Sequence, residues 1–208
     1  MQEDSSRDSR PADGFTYNHP EIHVEQRSCI SAPLRAAMFD IPREAWAGNP
    51  KFRGEAQFWT QIHEGLLNAS ATLPAWLRQF QDMDDAGQMR ALSPRIAGLG
   101  GDLVHHAHGH HHIEDHHFFP AFLRLFPQLE HPLEMLDGDH KVLAEVLDDL
   151  ESAVRDFPVT PEGDDRQMRE AWLKGAEKLL PAAERLDALF IRHIGDEEEI
   201  CIPAMLQL

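Results

Sequence analysis

Two stretches of this sequence pair an imidazole with a carboxylate at the spacing of one helical turn, and the pattern then repeats. His110-His111-His112-Ile113-Glu114 is followed by four residues and then Phe119-Pro120; His193-Ile194-Gly195-Asp196-Glu197 is followed by four residues and then Ile202-Pro203. Both read H-x3-E-x4-apolar-Pro. Residues four apart lie on one face of a helix, about one turn from each other. Each motif would therefore aim a ring nitrogen and a carboxylate the same way, where both can ligate a metal. Lone histidines stand at similar distances upstream: His63 is 47 residues before His110, and His140 is 53 before His193. The chain reads as two similar halves, each offering one helix with a single histidine and one with the paired motif. Four imidazoles and two carboxylates suit two iron ions, because imidazole binds iron readily and a glutamate can bridge two metals or terminate one. The carboxylates would also offset part of the charge of two cations in an apolar core.

Eight of the 14 histidines fall between His105 and His117, so the first motif has overlapping registers. His110 can pair with Glu114, His111 with Asp115 and His112 with His116. Neighbours along a helix differ by about 100°, so one register is expected to point straight into a bundle. The match of Phe119-Pro120 to the second motif selects His110 with Glu114. His106 and His117 lie near the same face and read as neighbours of the site or surface residues, while His105, His108, His112 and His116 read as solvent-facing. Asp137 and Asp139 flank His140 and are placed to accept from an imidazole N–H, or simply to favour a helix N-terminus. Glu198 and Glu199 read as a solvated face, and Trp59, Phe118, Phe122 and Trp172 as core.

Helices must carry these groups. Residues 55–80 place Phe58, Ile62, Leu66, Leu73 and Leu77 near helical spacing, with an interruption or kink expected at Pro74. A second helix is expected over about 89–126, with a break near Ser93-Pro94 or Gly100-Gly101. A third lies between His131-Pro132 and Pro158, with Leu136, Leu143, Val146, Leu147 and Leu150 as its apolar stripe. The fourth spans about 166–205 with a kink at Pro181. Long helices with short connections predict an all-α, antiparallel up-down four-helix bundle over residues 55–208. Residues 1–54 form an extension, mobile to about residue 20, then packed on the bundle through Trp46 and Phe52, with a short helix near Leu34 to Met38.

Bulk composition excludes several classes of function. A net charge of −17 disfavours nucleic acid and anionic membrane surfaces as partners. MQEDSSRDSR lacks the apolar core of a signal peptide, and no apolar run reaches the roughly 18 residues of a membrane span. Cys29 and Cys201 make neither a disulfide framework nor a zinc-finger pattern, and a cytoplasmic protein with two ordinary thiols is expected.

The repeated H-x3-E motifs with their following prolines, and the single histidines on the intervening helices, resemble the hemerythrin-like, or HHE cation-binding, domain over about residues 55–206. The resemblance implies a non-haem di-iron centre with His63, His110, His140 and His193 as terminal ligands and Glu114 and Glu197 as bridges. Manganese or zinc could load the same site. Some members use a ligand at the position of His111. Oxygen-carrying hemerythrins place two histidines four apart on the third helix, whereas His140 has Leu136 before it and Ala144 after it. A four-histidine, two-glutamate set looks more like the cluster-repair and sensing members, with an extra open position on a metal. Three roles are therefore expected: a sensor, scavenger or stress protector binding O2, NO or peroxide; an iron-redox enzyme or iron-sulfur cluster repair factor; or a metal-buffering, regulatory module.

Overall fold

The computed structural model describes residues 15–208, and the expected mobility of residues 1–14 falls outside the described residues. The described residues form helices and turns with no strand. Two short helices, α1 (Ala32–Arg35) and α2 (Arg43–Trp46), and a 3-10 turn at Pro50–Phe52 lead into α3 (Glu55–Gln81) and α4 (Ala86–Ile113). A π-helical turn at Glu114–Phe118, α5 (Phe119–Leu125) and a 3-10 turn at Pro127–Leu129 connect to α6 (Glu130–Asp156), and α7 (Asp165–Met205) completes the chain. The four long helices pack as a helical bundle: α3 lies against α4 and α7, and α6 against the same two. Trp59 meets Glu197, Ser70 meets Asp187 and Arg78 meets Glu184, so later residues of α3 meet earlier residues of α7.

Caps and packing explain the helix limits. Asp85 accepts from the Gln88 backbone at the start of α4, and Asp164 with Gln167 forms a capping box at the start of α7. The break expected near Pro94 does not occur, and α3 and α7 run on through Pro74 and Pro181, where an interruption or kink and a kink, respectively, were expected. Leu73 and Leu77, both fully buried, hold α3 on the core on either side of Pro74. Gly100 marks a close approach rather than a break, since a Cβ there would lie 2.5 Å from Val154 Cγ2 on α6. The second expected helix is divided instead at the π turn. Phe119 N–H bonds the Glu114 carbonyl five residues back, the signature of a π turn.

Two apolar cores form. One contains Leu73, Phe80, Met89, Ile96, Leu147 and Trp172; the other contains Trp59, Phe119, Phe122, Leu136 and Ile200. Ile22, Ile30, Leu34 and Trp46 belong to the second core, so the segment before α3 packs onto it. The polar cluster lies between the cores along the helices: His63 falls between Trp59 and Leu66, and His140 between Leu136 and Leu143. Cys29 is exposed, Cys201 is buried, and both are free. Among the described residues no helix is long and apolar enough to cross a membrane.

Candidate metal centre

All six residues expected from the sequence, His63, His110, Glu114, His140, His193 and Glu197, converge between the cores, and His111 joins them. They fall into two groups of potential donors whose ligating atoms lie within 4.8 Å of one another: His63, His110, Glu114 and Glu197 in one, and His111, His140 and His193 in the other. The two glutamates span both groups. Glu197 Oε1 is 3.5 Å from His63 Nε2 while its Oε2 is 3.5 Å from His193 Nε2. Glu114 Oε1 is 2.9 Å from His110 Nε2 while its Oε2 is 3.6 Å from His140 Nε2. Each carboxylate thus offers one oxygen to each group.

The far nitrogens of three rings are held by carboxylates. His63 Nδ1 is 3.1 Å from Glu198 Oε1, His140 Nδ1 is 2.7 Å from Asp115 Oδ1, and His193 Nδ1 is 3.1 Å from Asp139 Oδ2. A ring that donates from Nδ1 turns the lone pair of Nε2 inward. These inward nitrogens meet in pairs, His63 with His110 at 3.0 Å and His140 with His193 at 3.2 Å. Two lone pairs at that distance repel unless a cation or a proton lies between them. Neither Glu114 oxygen has a hydrogen-bond partner, nor has Glu197 Oε2, although all are buried. Buried acceptors without donors are costly. Unpartnered oxygens and opposed imidazole nitrogens are the pattern that metal cations would satisfy, so the donor set fits a two-metal site.

Electrostatics within the metal-free cluster point the same way. Burial pushes His110 down to about 4, while in His63 burial is outweighed by Glu197, Glu114 and Glu198, which hold its pKa well above the ordinary value. Burial lowers His193, whereas Asp115 and Glu114 outweigh burial and raise His140. Each facing pair therefore joins one ring whose pKa is raised to one whose pKa is lowered. Burial and the neighbouring Glu197 push Glu114 well above the carboxylate range. Glu197, also buried, is held well below it by His63, His110 and His193.

The sequence profile of the hemerythrin HHE cation-binding domain matches residues 55–205. The chain belongs to the hemerythrin HHE family. No curated protein and no solved structure matches it.

Several expectations for this hemerythrin-domain chain need correction. The fifth imidazole missing from α6 stands on α4: the His111 ring stacks on His140 at 4.2 Å and lies 5.6 Å from His193. Two neighbours 100° apart can straddle the inward direction, so His110 turns toward α3 and His111 toward α6 and α7. Both registers are used, because Asp115, four residues after His111, holds His140. His111 thus brings the imidazoles of the cluster to five, where the repeat implies four. Asp139 does accept from an imidazole, that of His193, whereas Asp137 pairs with exposed Lys141 at 2.6 Å. Glu198 is buried behind His63 instead of belonging to a solvated face, while Glu199 pairs with exposed Arg35. Trp59 is core, as expected, and also donates from Nε1 to Glu197 Oε1 at 2.9 Å. His105, His106, His108, His112, His116 and His117 are exposed.

A cavity of about 700 Å³ between α3 and α4 reaches this cluster. Phe58, Ile62, Leu103 and Phe118 line it, and its inner wall includes His110 and Glu114. It adjoins the group that has two histidines, not the one with three.

Proposed function

We propose that residues 55–208 form an antiparallel up-down four-helix bundle of the hemerythrin type, with residues 1–54 as an extension, and that the bundle holds a non-haem di-iron centre. One iron would be held by His63 and His110, the other by His111, His140 and His193, and Glu114 and Glu197 would bridge them. The observation that carries this reading is the placement of each glutamate with one oxygen toward each histidine group. Bound iron would supply redox chemistry and a coordination position for O2, NO or peroxide. The chain would act as a sensor, scavenger or stress protector.

The residues themselves do the arranging. Glu198, Asp115 and Asp139 fix three imidazole rings by their outer nitrogens, as carboxylates do for many metal-bound histidines. Trp59 anchors one oxygen of Glu197. The group with fewer imidazoles borders the cavity lined by Phe58, Ile62 and Phe118, so a small uncharged ligand has a route to that side. Manganese and zinc are competing occupants, since the same donors accept them.

The test is to load the purified chain anaerobically with ferrous iron, then measure metal content and visible absorption before and after air. Two irons per chain with new charge-transfer absorption on exposure to oxygen is the expected result. Well under two irons per chain, or one tightly held zinc and no iron, would sink the di-iron reading.

A further inference from the structure

Two ligand-side histidines are backed by carboxylates that are themselves gripped by residues from the segment before the matched domain. Behind His193, Asp139 accepts from Tyr17 Oη at 2.8 Å and from Arg27 Nη1 at 2.8 Å, with Arg27 Nη2 paired to its second oxygen. The Arg27 guanidinium is fully buried and also donates from Nε to Asp196 at 2.7 Å. Behind His63, Glu198 is paired with Arg43, whose guanidinium lies 4.6 Å over the Trp46 ring. Tyr17, Arg27 and Arg43 all lie before residues 55–205, to which the family profile applies.

We propose that residues 17–43 tune the metal centre toward its reduced state through two relays, Tyr17 and Arg27 on Asp139 behind His193, and Arg43 on Glu198 behind His63. This rests on the di-iron reading above. A carboxylate that accepts from a ligand imidazole makes that ring a stronger electron donor, which favours the more highly charged metal. Every donor added to the far side of the carboxylate spends part of its negative charge elsewhere, so the ring donates less. The positive charge of each arginine acts in the same direction, by opposing a further positive charge on the metal. Tyr17, Arg27 and Arg43 are positioning residues: they touch carboxylates, and those carboxylates touch the histidines.

Arg27→Gln would strand two buried carboxylates and is a poor probe, because the fold itself would suffer. Arg43 is half exposed and Tyr17→Phe removes one hydroxyl, so both variants keep the fold. The experiment is a redox titration of the full chain loaded with iron. Arg43→Gln and Tyr17→Phe are each expected to shift the oxidised-to-reduced ratio at fixed potential toward oxidised. The shift should be about threefold to tenfold, below the 10–100-fold typical of groups that touch a ligand directly; tenfold corresponds to about 59 mV for one electron. Arg43→Lys, which restores the charge, should return most of the shift. Arg35→Gln breaks an ion pair of the same segment, to Glu199 at 3.0 Å, with no histidine behind it, and should leave the potential unchanged. Wild-type potentials in both Arg43→Gln and Tyr17→Phe, or an equal shift in Arg35→Gln, would overturn the relays while leaving the di-iron centre standing. A wild-type chain that takes no iron would overturn both, and that outcome is read before any variant is made.

Discussion

At the scale of single residues, His111 decides how the centre is counted. Its ring is buried among His110, His140 and His193, and burial together with those neighbours holds its pKa well below the ordinary value, so it stays a neutral donor. In the proposed di-iron centre, His111→Ala is expected to weaken binding of one metal by on the order of 100-fold or more, since even residues behind a ligand typically cost 10–100-fold. The other metal should be affected far less. Competition with a chelator of known affinity reads both steps; unchanged affinities would remove His111 from the ligand set. His112→Ala, one residue along and exposed, serves as the control. The inward pairs were legible in the sequence because a spacing of four has a meaning within a single helix. His63 and His140 were legible because the two halves repeat. Asp115, Glu198 and Arg27 were not, because each acts on a ring from another helix or segment. Which carboxylate backs which histidine depends on how helices are placed side by side, and no spacing along one helix encodes that.

At the scale of elements, the sequence marked Ser93-Pro94 or Gly100-Gly101 as a break in the second helix, and tertiary packing carried α4 through both. Helix propensity is worth about 1 kcal/mol per glycine and about 3 per proline, less than what burying the leucines around such a site returns. Gly138 on α6 shows how a close contact reverses the usual sign. Replacing a helical glycine by alanine ordinarily stabilises by up to about 1 kcal/mol. At Gly138 a Cβ would fall 2.2 Å from Tyr17 Cδ2, and the Tyr17 hydroxyl is tied to Asp139 next door. Overpacking of this kind costs about 1–3 kcal/mol, so Gly138→Ala should destabilise, with a Tm drop of roughly 2–12 °C at the usual 2–4 °C per kcal/mol for a chain of this size. Gly101→Ala on α4, where nothing lies within 4 Å of the new Cβ, should raise Tm instead. The pair is measured by thermal unfolding of the metal-free protein, and a Gly138→Ala chain as stable as Gly101→Ala would mean that the segment around Tyr17 does not seat on α6.

At the scale of the whole molecule, protons and metals compete for one cluster inside a chain of net charge −17. In the metal-free protein surrounding carboxylates outweigh burial and raise the pKa values of His63 and His140, and burial with Glu197 raises that of Glu114. Their pKa values are raised, so each contributes stability to the metal-free fold at low pH that is lost as pH rises through the raised value. Raising the pH thus leaves the metal-free cluster with opposed lone pairs and unpartnered carboxylate oxygens. Metal reverses this, since it binds the deprotonated ligands and must displace any protons they hold. Bound cations would also lower the self-repulsion of an acidic chain. Loading should therefore release protons, and apparent affinity should climb by roughly tenfold per pH unit for each proton displaced. At a free metal concentration about 100 times Kd the folded state gains about 2.7 kcal/mol, or roughly 5–11 °C in Tm. The gain should be larger at pH 7.5 than at pH 5.5. Thermal unfolding of loaded and stripped protein at both values, with proton release followed in a weakly buffered titration, checks each part. A metal-induced Tm gain that is the same at the two pH values, with no protons released, would mean that the metal binds outside the histidine pairs.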